Sequence, residues 1–308
     1  MDRARRLCRV RSQLLRECLA ESLGTYIMIL FGCGGVAQVT TSSETKGQYL
    51  SINLAFALGV TFAVYASRGV SGAHLNPAVS LSLCVLGKHQ WKRLPFYVFF
   101  QLLGSFLAAA TVYALYYEAI MEYSQGNLTV SGPRATAGIF ATYPSDYLSI
   151  WSGFLDQVVG TAALLLCVLA VGDERNSAPP AGLEPVLVGL VVLGIGISMG
   201  GNCGYPLNPA RDLGPRLFTF IAGWGGQVFT AGGGWWWVPL VAPLLGALTG
   251  TALYQLLVEF HHPPHELDPP GTQANEVGLA LEVEREAGEE KGVRNGGEVG
   301  DERIINRL

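Results

Sequence analysis

Two copies of the tripeptide Asn-Pro-Ala are the residues of this chain whose chemistry is easiest to interpret. Asn76 and Asn208 each close a short Gly-containing loop inside an apolar segment. Asn is a favourable N-cap, and proline fits the first helical position because its missing N–H would have no partner there. Each tripeptide therefore predicts the start of a short helix. Two such half-helices in corresponding positions of two halves indicate a pore or a substrate site in the middle of a membrane.

Arg211 is the sharpest single candidate for a functional side chain. It follows Asn208 by three residues and so falls in the first turn of the second predicted half-helix. An arginine at membrane depth is costly and is a functional candidate by default. A purely structural role, in which the guanidinium pairs with backbone carbonyls, is the alternative. We expect Arg211 to do both, with some donors fixing the loop and others meeting a solute.

Glu21 is a buried carboxylate candidate, because it lies inside the first apolar segment. A buried carboxylate needs hydrogen-bond partners. One interpretation is that it binds backbone N–H groups of the loop around His74. The other is that Glu21 and His74 form a pH-sensitive pair, since histidine titrates near physiological pH.

Catalytic and metal-binding patterns are missing from the sequence. The six cysteines contain no C-x-x-C pair, and no G-x-S-x-G, phosphate loop or H-E-x-x-H occurs. We therefore predict no enzyme activity, no metal and no cofactor.

The composition is that of a membrane protein. Half of the residues are apolar and only 14% are charged. A spanning helix needs about 20 mainly apolar residues. Two apolar segments, 76–87 and 208–219, are too short and are expected to dip into the membrane from opposite sides. The six predicted spans cover residues 17–39, 50–68, 94–117, 153–172, 183–200 and 236–258.

Basic residues predict the orientation of these spans, because they favour cytoplasmic segments. They cluster before the first span and between the second and third, at Arg3, Arg5, Arg6, Arg9, Arg11, Arg16, Arg68, Lys88, Lys92 and Arg93. Both termini are then cytoplasmic, and the loops at 40–49 and 118–152 face outside. The single N-x-Ser/Thr sequon, at Asn127, falls in the second of these outer loops, which makes Asn127 a candidate glycosylation site.

The chain is organised as an internal repeat. Residues 20–25 (Ala-Glu-Ser-Leu-Gly-Thr) match residues 156–161 (Asp-Gln-Val-Val-Gly-Thr), with Gln157 at the place of Glu21. Each half holds three spans, and because three is odd the second half enters inverted. The predicted organisation is a basic cytoplasmic N-terminus (1–16), a channel domain (17–258, with repeats at about 17–117 and 153–258) and a disordered cytoplasmic tail (259–308). The tail carries 12 acidic and 5 basic residues.

Opposed half-helices would place two positive dipole ends at the centre of a pore, where they repel cations. The two Asn amides can donate to a solute at that centre. Irregular loops leave carbonyls along the pore, and we expect those of Gly72, Ala73, His74 and Gly204 to line it. A column of acceptors with donors at its centre suits water and hydroxyl groups.

These residues resemble the aquaporin family over roughly residues 14–260. The boxes lie 132 residues apart, and Asp212 and Arg216 resemble the glycerol-conducting branch. The resemblance implies an all-α membrane protein with six transmembrane helices and two half-helices in an inverted repeat. It also implies a passive channel for water, glycerol, urea and similar small neutral solutes that excludes ions and protons. A homotetramer in the plasma membrane is implied as well, with the lipid bilayer but no nucleic acid as a partner.

The family's selectivity filter, carried over by offset from the boxes, falls on Phe56, Gly196, Tyr205 and Arg211. Glycine at 196 is expected to open the constriction. Two aromatic faces and one arginine would then form an amphipathic slot for a polyol.

Two other functions remain open at this point. Inverted repeats and broken helices also occur in secondary transporters, which usually show an intramembrane carboxylate linked to the substrate; Glu21 is the one candidate. A structural membrane protein that mediates contacts between cells would need neither Arg211 nor two capped half-helices.

Overall fold

The computed structural model describes residues 9–180 and 182–263. Residues 1–8 and the predicted disordered tail beyond residue 263 lie outside the described part of the chain. The chain divides into a unit from Met1 to Phe260 and a second unit from His261 to Leu308. Only residues 261–263 of the second unit are described.

The described residues form helices and loops and contain no strand. Helices are numbered α1 to α9 in chain order, and α3 and α7 are the two half-helices. Their bounds are α1 Gln13–Thr41, α2 Tyr49–Ser71, α3 Pro77–Val85, α4 Leu94–Ser124, α5 Ile150–Val171, α6 Glu184–Met199, α7 Pro209–Thr219, α8 Gln227–Gly234 and α9 Val238–Leu257. Each predicted span corresponds to one long helix, and the half-helices begin where the Asn-Pro-Ala boxes predict. The prediction of an all-α fold with six spanning helices and two half-helices is thus confirmed.

Five of the long helices are apolar and long enough to cross a membrane by themselves. The sixth, α6, has 16 residues. At 1.5 Å per residue it rises about 24 Å, less than the roughly 30 Å of a hydrocarbon core. Helix α6 ends at Met199 with Gly200 as its C-cap, and the chain continues as the irregular loop that leads to Asn208.

The two half-helices begin in the same way. The side-chain oxygen of Asn76 accepts a hydrogen bond from the Ala78 N–H, and proline occupies the first turn of α3. Asn208 likewise accepts from the N–H groups of Ala210 and Arg211 at the start of α7. These caps satisfy N–H groups that would otherwise lack partners in an apolar surrounding.

The internal repeat is visible as matched contacts. A Cβ built at Gly104 would lie 2.1 Å from the carbonyl oxygen of Ser22, and one built at Gly246 would lie 2.4 Å from that of Val158. Ser22 and Val158 are equivalent positions of the repeated hexapeptide. The same backbone approach therefore joins α4 to α1 and α9 to α5, and only glycine permits it.

The two halves interlock through their half-helices. Helix α1 packs against α2 and α4, and α5 packs against α6 and α9. Half-helix α3 also packs against α9, while α7 packs against α4. Each half-helix thus rests on the last long helix of the other half, and the N-termini of α3 and α7 are brought together.

Candidate functional site

A cavity of about 440 Å³ runs through the helices and joins the predicted site residues. At one end it is lined by Arg68, Lys88 and Glu184, and Arg68 forms an ion pair with Glu184. At the other end it reaches a cluster that includes Phe56 and Arg211. Positions 56 and 68 are 12 residues apart on α2, which corresponds to about 18 Å of helix.

Asn76 and Asn208 meet at the middle of this cavity. The Asn76 Nδ2 donates to the Leu207 carbonyl at 3.0 Å, and the Asn208 Nδ2 donates to the Leu75 carbonyl at 2.8 Å. The two loops are therefore cross-linked by a reciprocal pair of hydrogen bonds. Each amide has a second N–H, and both residues line the cavity. Asn76 thus keeps a second N–H for a solute, whereas the Asn208 Nδ2 also lies 4.0 Å from the Met28 sulfur.

Glu21 holds the loop that precedes Asn76. Its carboxylate is fully buried and accepts from the N–H groups of His74 and Leu75 at 2.9 and 2.7 Å. It also accepts from the Ser71 hydroxyl at 2.6 Å and from the Gln101 amide at 2.8 Å. Four donors satisfy a charged carboxylate that would otherwise be costly to bury.

This loop has an unusual backbone that the Glu21 contacts fix. Ala73 and Leu75 have φ values of 53° and 54°, a region that side-chain-bearing residues rarely adopt. Such conformations persist where the surroundings determine them. Gly72, Ala73 and His74 all line the cavity, and the prediction that their carbonyls line a pore stays a prediction. Gly204, the fourth predicted carbonyl, does not contact this cavity.

The His74 ring connects to Glu21 through two polar side chains. Its Nδ1 lies 3.1 Å from the Ser80 hydroxyl, and the Gln101 amide donates both to Ser80 and to Glu21. The ring also packs edge to face against His89, with centroids 4.7 Å apart. His89 lies in the loop after α3; partial burial, and secondly the charge of Arg93, lower the pKa of its imidazole below the usual value. His89 is therefore neutral at pH 7.

Phe56, Tyr205 and Arg211 come together as predicted, and each is less than a tenth exposed. The Phe56 and Tyr205 rings are 6.1 Å apart and inclined at 75°, an edge-to-face arrangement. The Arg211 guanidinium carbon lies 4.8 Å from the centre of the Phe56 ring, and its Nη1 donates to the Phe140 carbonyl at 2.8 Å. These three residues form an amphipathic constriction, which we call the filter.

Gly196 lies directly against Asn53 and the Tyr205 ring. A Cβ at this position would lie 2.7 Å from the Asn53 Oδ1 and 2.9 Å from the Tyr205 Cζ. A Cβ at Gly200 would lie 2.5 Å from the Tyr205 Cδ1. The two glycines thus form a groove on α6 that holds the Tyr205 ring. Gly196 shapes the filter through the residues it accommodates and does not itself contact the cavity described above.

A buried ion pair fastens the loop between α4 and α5 to the second half-helix. Asp212 accepts from the Thr142 N–H at 2.8 Å and from Arg216 at 2.8 Å. Arg216 in turn donates to the Thr142 and Val228 carbonyls. The i,i+4 spacing of Asp212 and Arg216 inside an apolar chain was the available signal for this pair.

The remaining candidates lie away from the cavity. Asn127 is exposed just after α4 ends. Gln157, the counterpart of Glu21, donates to Asp156 at 2.7 Å and lies 2.9 Å from the Cys203 sulfur. Among the described residues, no group of three or more His, Cys, Asp or Glu side chains is arranged to hold a metal ion.

Comparison with known proteins gives a consistent result over most of the chain. The family model described as major intrinsic protein matches residues 9–254. The chain is 59% identical to human aquaporin-10 over 255 residues, which cover 83% of this chain and 85% of that protein. It is 50% identical to human aquaporin-9 over 254 residues, which cover 82% of this chain and 86% of that protein.

A solved structure with the same arrangement of helices is the X-ray structure of the aquaglyceroporin from Plasmodium falciparum. The match has a TM-score of 0.73 and 34% sequence identity, and it covers 80% of this chain and 98% of the other. The resemblance to the glycerol-conducting branch, which the sequence indicates through Asp212 and Arg216, is confirmed by these relatives.

Proposed function

Because the chain belongs to the major intrinsic protein family, we propose that it is a passive channel through which water and glycerol cross a membrane down their gradients. The observation that carries this function is the cavity that runs from Arg68 past Asn76 and Asn208 to the filter. The family is one of multi-pass membrane channels and not of enzymes. Membership of this family argues against the two alternatives that the sequence left open, a secondary transporter and a structural protein that mediates contacts between cells.

The filter suits a polyol because it offers one polar and two apolar surfaces. The rings of Phe56 and Tyr205 can contact the C–H groups of glycerol. The Arg211 Nη1 donates a hydrogen bond to the Phe140 carbonyl. A guanidinium has five N–H groups, and the other four can donate to the hydroxyl groups of a solute or to other acceptors. Urea and similar small neutral solutes fit the same description, and we include them in the proposal.

Ions and protons are excluded, on this proposal, by fixed positive charge. The N-termini of α3 and α7 meet at the Asn pair, where each helix contributes about half a positive charge. Arg211 adds a full charge nearby. A neutral solute meets no comparable penalty, since it can exchange its water hydrogen bonds for those of Asn76 and Asn208.

We further propose that both termini are cytoplasmic and that the loop with Asn127 is outside. The support is the distribution of basic residues, with Arg9, Arg11 and Arg16 before or within the first turns of α1. The plasma membrane, glycosylation at Asn127 and assembly as a homotetramer belong to the same proposal. Large apolar side chains that face outward along the helices, such as Leu115 and Ile221, are available for lipid or for a neighbouring subunit.

A pH response through Glu21 and His74 is also a proposal. It is supported by the chain of hydrogen bonds from His74 through Ser80 and Gln101 to Glu21. A proton on His74 would add a charge to the cavity wall and turn its Nδ1 into an obligatory donor. Burial disfavours the charged form of the His74 ring, so glycerol permeability should then change only as the pH falls well below 6.5 in the wild type, and stay constant in His74→Ala. A wild type with no change at such low pH would contradict the proposal.

Stopped-flow light scattering on proteoliposomes tests the main function. Vesicles that contain the full chain should shrink and then reswell in a glycerol gradient, and should also respond to a sucrose gradient by rapid water loss. The glycerol flux should rise linearly with its gradient and be independent of Na⁺ and pH gradients. Saturable flux that requires an ion gradient would instead identify a transporter.

A further inference from the structure

We propose that Asn53 is a further specificity-determining residue of the filter, and that it acts as a positioning residue for Tyr205. The inference rests on the proposed function, since it concerns which polyols the channel admits. It adds a residue that neither the Asn-Pro-Ala boxes nor the offsets from them single out.

The central observation is one hydrogen bond. The Tyr205 hydroxyl donates to the Asn53 Oδ1 at 2.5 Å. Asn53 is 1% exposed and lies on α2, three residues before Phe56. One turn of α2 therefore supplies the Phe56 ring directly and fixes the far end of the Tyr205 ring.

The Tyr205 ring is buried in an apolar cluster, and Asn53 supplies the hydrogen-bond partner of its hydroxyl. It lies against the backbone of Gly196 and Gly200, which have no side chains to hold the ring, and the Tyr49 hydroxyl lies beside Gly200. Its backbone has a φ of 42°, rare for a residue with a side chain, and its carbonyl accepts from the Leu207 N–H. The backbone end of the residue is thus fixed, while the hydroxyl end depends on Asn53.

The chemistry of Asn53 favours a positioning role over simple space-filling. Within the described part of the chain, its Nδ2 is buried and has no hydrogen-bond partner. Burial of an unsatisfied donor costs free energy, and an apolar side chain would fill the space without that cost. An asparagine at this position is explained if its Oδ1 is needed as the acceptor for Tyr205.

A fixed Tyr205 ring would set the width of the filter. Phe56 and Tyr205 face each other edge to face, and Arg211 lies over Phe56. If the Tyr205 ring can rotate or slide, the slot between the two aromatic walls varies in width. A wider polyol then passes more often, while water, which is smaller than the slot, is little affected.

The experiment compares wild type, Asn53→Leu, Tyr205→Phe and the double variant in proteoliposomes. Asn53→Leu keeps the branched shape of the side chain and removes the acceptor, whereas Tyr205→Phe keeps the ring and removes the donor without adding volume. Permeabilities to water, glycerol and the four-carbon polyol erythritol are measured by stopped flow and normalised to incorporated protein. The matched control is Tyr26→Phe, which removes a tyrosine hydrogen bond to Thr111 between α1 and α4, away from the filter.

We expect the erythritol-to-glycerol permeability ratio to rise by about fivefold in each single variant, the factor typical of one lost neutral hydrogen bond. The double variant should show the same rise as either single one, because both remove the same interaction. Water permeability and the Tyr26→Phe ratio should stay at the wild-type values. A general loss of packing would lower all fluxes together and would not produce this ratio.

Two results would overturn the inference. One is an unchanged ratio in Tyr205→Phe, a variant mild enough to fold. The other is additive effects of the two substitutions, which would mean that each acts by itself. In both cases normal water and glycerol flux in the wild type would leave the proposed channel function intact, whereas a wild type without glycerol flux would refute that function and this inference with it.

Discussion

The guanidinium of Arg211 lies over the ring of Phe56, with 4.8 Å between its central carbon and the ring centre. A cation in this position is attracted to the face of the ring. Because the Phe140 carbonyl binds the same guanidinium from the loop after α4, the charge is held between an aromatic wall and a fixed acceptor. The Phe56 ring, which is the apolar surface of the filter, therefore helps to position the Arg211 guanidinium, which is its polar surface.

Replacing Phe56 by glycine should widen the filter and free the Arg211 side chain. The ring also fills the space beside Gly32, where a Cβ would lie 2.1 Å from Phe56 Cε1. We expect erythritol permeability to rise by about tenfold or more, since one aromatic wall is removed, and water permeability to change by less than about threefold; a rate change of tenfold corresponds to about 1.4 kcal/mol. Stopped-flow measurements of both solutes check this. If erythritol were still excluded, the constriction would have to lie elsewhere.

Replacing Arg211 by valine should let protons or cations leak while neutral solutes still pass. Two unit charges about 4 Å apart interact by roughly 4 kcal/mol at an effective dielectric of 20. That is on the order of three decades in rate, and water in the filter will reduce it. Proton flux is followed with a pH-sensitive dye inside the vesicles.

Arg211→Lys is the control for this prediction, because it retains the charge but loses the planar fork that meets Phe140. The Arg211→Lys channel should remain impermeable to protons even if its glycerol flux changes. A folded Arg211→Val channel as tight as the wild type would mean that the two half-helix N-termini suffice for exclusion.

Replacing Gly196 by alanine should lower glycerol permeability more than water permeability. The new Cβ would lie 2.9 Å from the Tyr205 Cζ and 2.7 Å from the Asn53 Oδ1, so the ring has to shift. We expect glycerol flux to fall by about tenfold, on the order of the 1–3 kcal/mol that overpacking costs. Gly194→Ala is the matched control, because a Cβ at Gly194 meets no atom within 4 Å. Equal losses of glycerol permeability in Gly196→Ala and Gly194→Ala would contradict the interpretation that Gly196 forms a groove for the Tyr205 ring.

Replacing Glu21 by glutamine should destabilise the loop before Asn76. The amide NH₂ of glutamine would face at least one N–H or hydroxyl donor that now meets a carboxylate oxygen. Hydrogen bonds to a charged group contribute about 1.5–3 kcal/mol each, so the melting temperature in detergent should fall by roughly 4 °C or more. The exposed Glu122→Gln serves as control and should melt like the wild type. A Glu21→Gln protein with unchanged melting and flux would show that the loop does not depend on the charge.

Asn127 should carry a glycan when the chain is made in a eukaryotic cell, because the residue is exposed and the positive-inside rule places its loop outside. The wild type should migrate faster on a gel after peptide N-glycosidase treatment, and Asn127→Gln should migrate at that faster position without treatment. A wild-type band that the enzyme does not shift would remove this support for the orientation.

The sequence by itself determined the fold and the centre of the site. Spans of about 20 apolar residues have few alternatives in a membrane, since every backbone polar group must be satisfied within the helix. Asn-Pro-Ala carries its own cap and first helical turn, so the starts of α3 and α7 follow from local chemistry. Arg211 could be identified for a similar reason, because a charge in an apolar segment needs an explanation.

Only the tertiary structure decided how the filter is held. The contact of Tyr205 with Asn53 joins residues 152 positions apart, and that of Arg211 with Phe140 joins residues 71 apart. Neither follows from a local pattern, because each depends on how α2, α6 and the loop after α4 meet. The surroundings of Gly196 follow the same rule: its offset identified the position, but only the packing of α6 shows that the glycine lies against the Tyr205 ring.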